Sequence, residues 1–136
     1  MEIDEMVDRN YKEICNYLHN SSEAHIEKYK KIPLFNIFLG YACLEKWLAI
    51  YNYKERNEGG INCAFCAAYC NRYTDYDTDC LGCPISEKVG ERECEGTPFY
   101  SVMNAHKKDE RHAAIIKEYE FIAEIVLDLV KGEKSC

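Results

Sequence analysis

Six of the nine cysteines in this 136-residue chain lie between Cys63 and Cys94, and four of them form two CxxC pairs. The first pair is Cys63 and Cys66, and the second is Cys80 and Cys83. Two CxxC pairs can supply four thiolates at tetrahedral positions about 2.3 Å from a zinc ion. Thirteen residues separate the pairs, which is close to the spacing of four-cysteine zinc sites. The sequence therefore predicts a zinc ion bound by these four cysteines.

Two further cysteines in the same segment, Cys70 and Cys94, leave the ligand set open. Either could replace one of the four, or contribute to an iron-sulfur cluster, which is also held by cysteine thiolates. A proline follows Cys83, as one follows the last cysteine of bacterial ferredoxin runs, but the cysteine spacing differs from those runs. Zinc is the predicted metal, and an iron-sulfur cluster is the alternative.

The segment around these cysteines lacks the residues for a core of its own. Residues 71–79 are polar and contain no apolar stripe, so six buried thiols without a metal are disfavoured. Structural zinc contributes roughly 10 to 16 kcal/mol of apparent binding energy to folding. We therefore expect residues 61–95 to form a metal-binding insertion that is disordered without its ion.

The rest of the chain favours a mainly α fold. Apolar residues recur at steps of three and four from Ile3 to Leu18 and from Ile115 to Leu129, which indicates one helix in each range. Capping and proline signals predict further helices that start after Ser22, at Pro33 and after Thr97. The prediction is a single domain over 1–136: a small helical bundle formed by 1–58 and 97–132, with the cysteine-rich insertion between them.

Three cysteines lie outside the cluster. Cys15 and Cys43 have apolar neighbours on predicted helix faces and are expected to pack in the core, whereas the thiol of Cys136 is expected to be exposed. The first ten residues include four acidic side chains and no apolar run, which disfavours a secretory leader. The apolar stretch 34–53 contains charged residues and is predicted to be a buried helix, not a membrane span. We expect a cytoplasmic protein whose cysteines are thiols or metal ligands.

Charge indicates the class of partner. The formal net charge is -7, and residues 61–96 carry three basic and seven acidic side chains, or -4. A four-thiolate zinc centre adds a further formal charge of about -2 to this region. Nucleic-acid binding normally requires a basic face, so it is disfavoured here. A protein partner with a basic surface is favoured, and the oligomeric state is not predicted.

A resemblance rests on several short runs of residues. CAFC from Cys63, DCLGCPIS from Asp79, Cys94 and the TPFY that precedes the last helix together resemble small cysteine-motif proteins of tailed phages, prophages and other mobile elements. The resemblance covers about the last 75 residues. It implies a viral or prophage setting, with the host cytoplasm as the location, and it implies no particular activity.

The sequence gives little support for catalysis. His25 and Glu27, followed by a CxxC pair, match parts of the zinc-deaminase motif, but Asn62 stands where that motif has a proline and no strands are predicted to carry the site. The favoured function is therefore a non-catalytic, zinc-stabilised protein-interaction module, for example an inhibitor of a host protein. An iron-sulfur redox module and a nucleic-acid accessory factor are the alternatives.

Overall fold

The computed structural model of the chain describes residues 3–52, 63–69, 83–89 and 99–134. Within these ranges the protein is mainly helical and has no strand, which confirms the predicted class. A 3-10 helix, Ile3–Asp8, comes first. Seven α-helices follow in the described ranges: α1 Tyr11–His19, α2 Glu23–Lys30, α3 Pro33–Tyr51, α4 Ala64–Tyr69, α5 Pro84–Val89, α6 Phe99–Asn104 and α7 Lys108–Lys134.

The prediction of one continuous helix from Ile3 is wrong, because Asn10 interrupts it. Asn10 has an extended backbone, and its Oδ1 accepts a hydrogen bond of 2.9 Å from the Glu13 backbone N–H. Glu45 of α3 accepts a 2.6 Å hydrogen bond from the Tyr11 N–H at the same helix start. These acceptors satisfy backbone donors that a continuous helix would pair internally, so a new helix begins at Tyr11.

Other predicted helix starts are confirmed. The Ser22 hydroxyl accepts from the His25 N–H at 3.2 Å and caps α2, and Pro33 is the first residue of α3. Helix α7 extends beyond the predicted stripe at both ends. The predicted signal at Thr97 lies outside the described residues.

Helices α3 and α7 form the main packing interface and run antiparallel. Gly40 of α3 lies against Val126, and the Tyr51 ring lies 4.9 Å from the His112 ring, centroid to centroid. Because a Cβ atom on Gly40 would overlap the Val126 side chain, glycine is what permits this close approach. Helices α1, α2 and α4 also contact α3. None of the described helices combines the length and apolar character needed to cross a membrane.

Helix α4 belongs to the core. It packs against α1 and α3, and five of its six side chains are buried. Cys63, just before α4, and Cys83, just before α5, are also buried. The expectation that cysteines of this segment have nowhere to bury is therefore wrong for these two. Apolar residues of the sequence AFCAAY place Cys63 against the bundle, and Cys83 is 2% exposed at the start of α5.

Candidate metal centre

The predicted ligand Cys63 lies where α4 begins. Its carbonyl accepts the Ala67 N–H at 2.9 Å, the first hydrogen bond of the helix, and its Sγ accepts the Cys66 N–H at 3.4 Å. Helix N-termini favour negative charge because their first N–H groups have no partner within the helix. The CxxC spacing thus places a backbone donor on the Cys63 sulfur, which stabilises its thiolate.

A second sulfur reaches Cys63 from another helix. Cys43, in the middle of α3, places its Sγ 4.0 Å from the Cys63 Sγ. Two sulfurs bound to one tetrahedral zinc ion at about 2.3 Å each are about 3.8 Å apart, whereas a disulfide bond is about 2.05 Å long. The observed separation fits two ligands of one soft metal ion, and it also fits a hydrogen bond between two thiols.

Two charged side chains are buried near this sulfur pair. Lys46 and Glu118 are each 2% exposed, and they are the buried charged residues of the described chain. Lys46 follows Cys43 by three residues and so shares its face of α3, with Nζ 4.8 Å from the Trp47 ring centroid. Glu118 is on α7, and its Oε2 has no hydrogen-bond partner among the described residues. Burying a charge costs several kcal/mol unless it is compensated, roughly as for buried ion pairs.

The thiols of Cys63, Cys43 and Cys15 differ in the direction of their pKa shifts. Hydrogen bonds from Cys43 and Cys66 hold the pKa of Cys63 well below its usual range, against the effect of burial, and the nearby Lys46 ammonium acts in the same direction. The hydrogen bond to Cys63 and burial raise the pKa of Cys43. Burial raises the pKa of Cys15 to about 12, and the charge of Cys63 adds to that effect. Cys63 is therefore the first of the three to become a thiolate.

The ionisation of Glu118 depends on the same group of buried side chains, here called the sulfur centre and made up of Cys43, Cys63, Lys46 and Glu118. Burial raises its pKa to about 7, and the negative charge of Cys63 acts in the same direction while Lys46 opposes it. A carboxyl in this setting is partly protonated near neutral pH. The centre therefore contains one sulfur that favours the charged form and one carboxyl that favours the neutral form.

The second predicted pair has one described member, Cys83. It directly precedes α5, and its carbonyl accepts the Glu87 N–H at 2.9 Å, so it starts a helix as Cys63 does. Burial raises the pKa of Tyr69, and the charge of Cys83 adds to the shift. The Tyr69 hydroxyl donates to the Asn36 Oδ1 of α3. Cys83 thus acts on the Tyr69 hydroxyl, whereas Cys63 lies at the start of α4.

The structure therefore brings together part of the predicted ligand set. Cys63 and Cys66 interact, and Cys83 is buried, but over the described ranges no three Cys, His, Asp or Glu side chains converge closely enough to hold a metal ion. Thiolate sulfur is nevertheless the donor type that selects zinc or an iron-sulfur cluster. The other predicted ligand Cys80, and the alternates Cys70 and Cys94, lie outside the described residues.

Sequence reasoning missed three members of the centre: Cys43, Lys46 and Glu118. One signal for them was available. Cys43 and Lys46 lie one helical turn apart in a helix that is mainly apolar, and a lysine on a buried helix face requires a compensating group. Glu118 gave no comparable signal, because the long helix α7 carries many charged residues.

Comparison with known proteins adds no relative. No protein-family model, no curated protein and no solved structure matches this chain.

Proposed function

We propose that this protein is a non-catalytic, zinc-stabilised protein-interaction module. The zinc ion is bound by cysteines of the 63–94 segment, with Cys63, Cys66, Cys80 and Cys83 as the first choice and Cys70 and Cys94 as alternates. The observation that carries the proposal is the buried sulfur of Cys63, which lies 4.0 Å from a second sulfur and accepts a backbone N–H. A thiolate in that position is a ready metal ligand.

An exposed apolar row supports the interaction part of the proposal. Tyr41 and Leu48 are each 51% exposed and Leu34 is 38% exposed, at seven-residue intervals along α3. Residues seven apart lie on nearly the same side of a helix, so the three form one stripe, here called the α3 row. The partner that fits is a protein with an apolar groove beside a basic surface, since the chain carries a net charge of -7.

The setting is part of the same proposal. The cysteine and TPFY motifs resemble those of small phage and mobile-element proteins, and this resemblance implies action in the host cytoplasm. An inhibitor that covers the working surface of a host protein would need a rigid fold and an exposed apolar face rather than an active site. The metal would supply the rigidity, and the α3 row would supply the face.

Elemental analysis tests the metal. Native protein should contain about one zinc per chain, and Cys63→Ser should lose it, because a hydroxyl is a poor replacement for a thiolate on zinc. Cys15→Ser is the matched control: Cys15 is also a buried cysteine, but its Sγ is not in the CxxC pair, and this variant should keep its zinc. Metal-free native protein would contradict the proposal.

Site-specific photo-crosslinking tests the interaction surface. A photoreactive phenylalanine at Tyr41 should crosslink one defined protein in the native host, while the same group at Leu127 of α7, which is 57% exposed, should not. The identified partner, purified, should bind the wild-type chain with an affinity that weakens on Leu48→Glu. Equal crosslinking at both positions, or binding that Leu48→Glu leaves unchanged, would contradict the role of the α3 row.

The iron-sulfur redox module remains a second candidate because of one contact. A backbone N–H on a cysteine sulfur, as Cys66 provides to Cys63, also tunes the potential of iron-sulfur clusters. Protein purified without oxygen would then be brown and contain iron and sulfide, whereas the zinc protein is colourless. The third candidate, a nucleic-acid accessory factor, predicts an affinity for nucleic acid that falls steeply as salt rises.

A further inference from the structure

Three cysteine side chains lead from the surface of the protein into its core. Cys66 on α4 is partly exposed, Cys63 at the start of α4 is 9% exposed, and Cys43 in the middle of α3 is 1% exposed. A side-chain hydrogen bond links Cys66 to Cys63. The Cys63 sulfur lies 4.0 Å from the Cys43 sulfur. Cys63 therefore contacts both of the other thiols.

The distance between the two inner sulfurs fits a pair of thiols that can be oxidised. A disulfide bond is about 2.05 Å long, so the sulfurs of Cys43 and Cys63 are not bonded and must approach by about 2 Å to form one. A change of side-chain rotamer moves a cysteine sulfur by such a distance. Redox-sensing cysteines are typically solvent-accessible and lie next to a second thiol that resolves the first oxidation product. Cys66, with Cys63 behind it, has this arrangement.

We propose that Cys66, Cys63 and Cys43 form a thiol relay that reacts with low-molecular-weight disulfides, such as oxidised glutathione, and stores the oxidation as a disulfide bond between Cys43 and Cys63. The inference goes beyond the proposed function, because it uses sulfurs that the structure brings together and requires no metal ion. The new bond joins α3 to α4 covalently. In a zinc-loaded protein it also removes Cys63 from the ligand set. Disulfides in reducing compartments are mostly transient and redox-sensing, as this one would be.

The relay passes two electrons to the external disulfide through three exchange reactions. The Cys66 thiolate attacks one sulfur of oxidised glutathione, forms a mixed disulfide and releases one glutathione thiol. The Cys63 thiolate then attacks the Cys66 sulfur and releases the second glutathione thiol. Finally, the Cys43 thiolate attacks the Cys63 sulfur and restores the Cys66 thiol. One disulfide bond is broken and one is formed, and the protons of the Cys43 and Cys63 thiols end on the two glutathione molecules.

Disulfide mapping in the natively purified full-length protein tests the relay. The protein is incubated in buffers of oxidised and reduced glutathione and quenched with acid, and its remaining thiols are alkylated in denaturant before digestion with trypsin. Trypsin cuts after Lys46 and Lys54, so Cys43 and Cys63 fall on different peptides, which a disulfide between them joins. Fragmentation in the mass spectrometer identifies the bonded sulfurs.

Two products are expected in order of time. Glutathione should appear first on Cys66, and the peptides joined through Cys43 and Cys63 should then become the main intramolecular product. An oxidised protein in which Cys43 stays a thiol while Cys63 bonds to Cys66 would overturn the inference. A protein that remains reduced at all glutathione ratios would overturn it as well. Zinc content, measured on the same preparation, tests the proposed function separately.

One variant measures what Cys43 contributes. In Cys43→Ser the oxidation should stop at the Cys63 and Cys66 disulfide, and half-oxidation should require an oxidised-to-reduced glutathione ratio at least about tenfold higher than in the wild type. Cys15→Ser, which changes another buried cysteine, on α1, should keep the wild-type ratio. An unchanged ratio in Cys43→Ser would overturn the relay. Should that variant fail to fold, the mapping of the wild-type chain decides.

Discussion

Two successive turns of α3 are buried in different ways. At Gly40 the helix meets Val126 of α7 in an apolar contact so close that no side chain fits between them. One turn later, Cys43 and Lys46 face the Cys63 sulfur and a buried carboxyl on α7. The first turn resembles an ordinary helix interface, and the second contains ionisable groups that burial penalises.

The difference between these turns indicates where the chemistry of the molecule lies. The contact of Gly40 with Val126 is stabilised by packing alone, and any pair of apolar helices could provide such a contact. The sulfur centre is stable only if its charges compensate one another or are compensated by a metal ion. Buried ionisable groups that depend on such compensation are expected at a functional site. Four substitutions sharpen this comparison.

The largest expected effect is that of Lys46→Met in the sulfur centre. Removing one partner of a buried charge pair leaves the other uncompensated, so the free energy of unfolding should fall by about 3 kcal/mol in the metal-loaded protein. Lys28→Met, at an exposed position on α2, is the control and should change little. Urea unfolding measures both. A Lys46→Met variant as stable as the wild type would show that Lys46 does not compensate a buried negative charge.

The glycine contact should respond to Gly40→Ala. The added Cβ overlaps the Val126 side chain, and overpacking of this kind costs about 1 to 3 kcal/mol. Gly132→Ala in α7 is the control: nothing lies within 4 Å of its Cβ, so improved helix propensity should raise stability by up to about 1 kcal/mol. Thermal unfolding of both variants checks the pair. Equal effects would show that the α3 and α7 contact is looser than described.

Glu118 should make stability depend on pH. Because its pKa is raised from 4.5 to about 7, the folded chain holds a proton that the unfolded chain has released, and stability falls as pH rises through this interval. Between about pH 6 and about pH 8 the wild type should lose about 1 kcal/mol relative to Glu118→Gln, which cannot ionise. Urea unfolding at the two pH values measures the difference. Parallel pH dependence in the two proteins would contradict the raised pKa.

The smallest expected effect lies outside both turns. Ser22→Ala removes the hydroxyl that accepts the His25 N–H at the start of α2 and should cost about 0.5 to 1 kcal/mol. Ser22→Asp, which can accept the same hydrogen bond, should retain stability. The metal content should not change in either variant. A change in metal content would mean that α2 is coupled to the sulfur centre.

Sequence periodicity and capping were sufficient for much of the fold. Ser22 and Pro33 act through neighbouring backbone groups, so their positions could be read locally. Asn10 was missed because the apolar stripe continues across it. Its cap to the Glu13 N–H is local, but the Glu45 contact at the same helix start comes from a helix far along the chain. The α3 row was also missed, since apolar character alone does not tell which face remains uncovered.

In the candidate site, too, local contacts could be predicted from the sequence and tertiary contacts could not. The Cys63 and Cys66 spacing is local, and the structure joins them through a backbone N–H as such spacing suggests. The contact of Cys63 with Cys43 is a tertiary contact between two helices, and no sequence spacing encodes it. Burial of Lys46 is likewise a consequence of how α3 packs, not of its neighbours in sequence.

The most direct test of the account is metal analysis of natively purified protein, followed by treatment with a strong chelator. We expect about one zinc ion per chain, and after chelation a loss of order in the cysteine segment, including α4, seen as faster backbone amide exchange. A preparation that contains no stoichiometric metal, and in which α4 stays equally protected with the chelator present, would contradict the account.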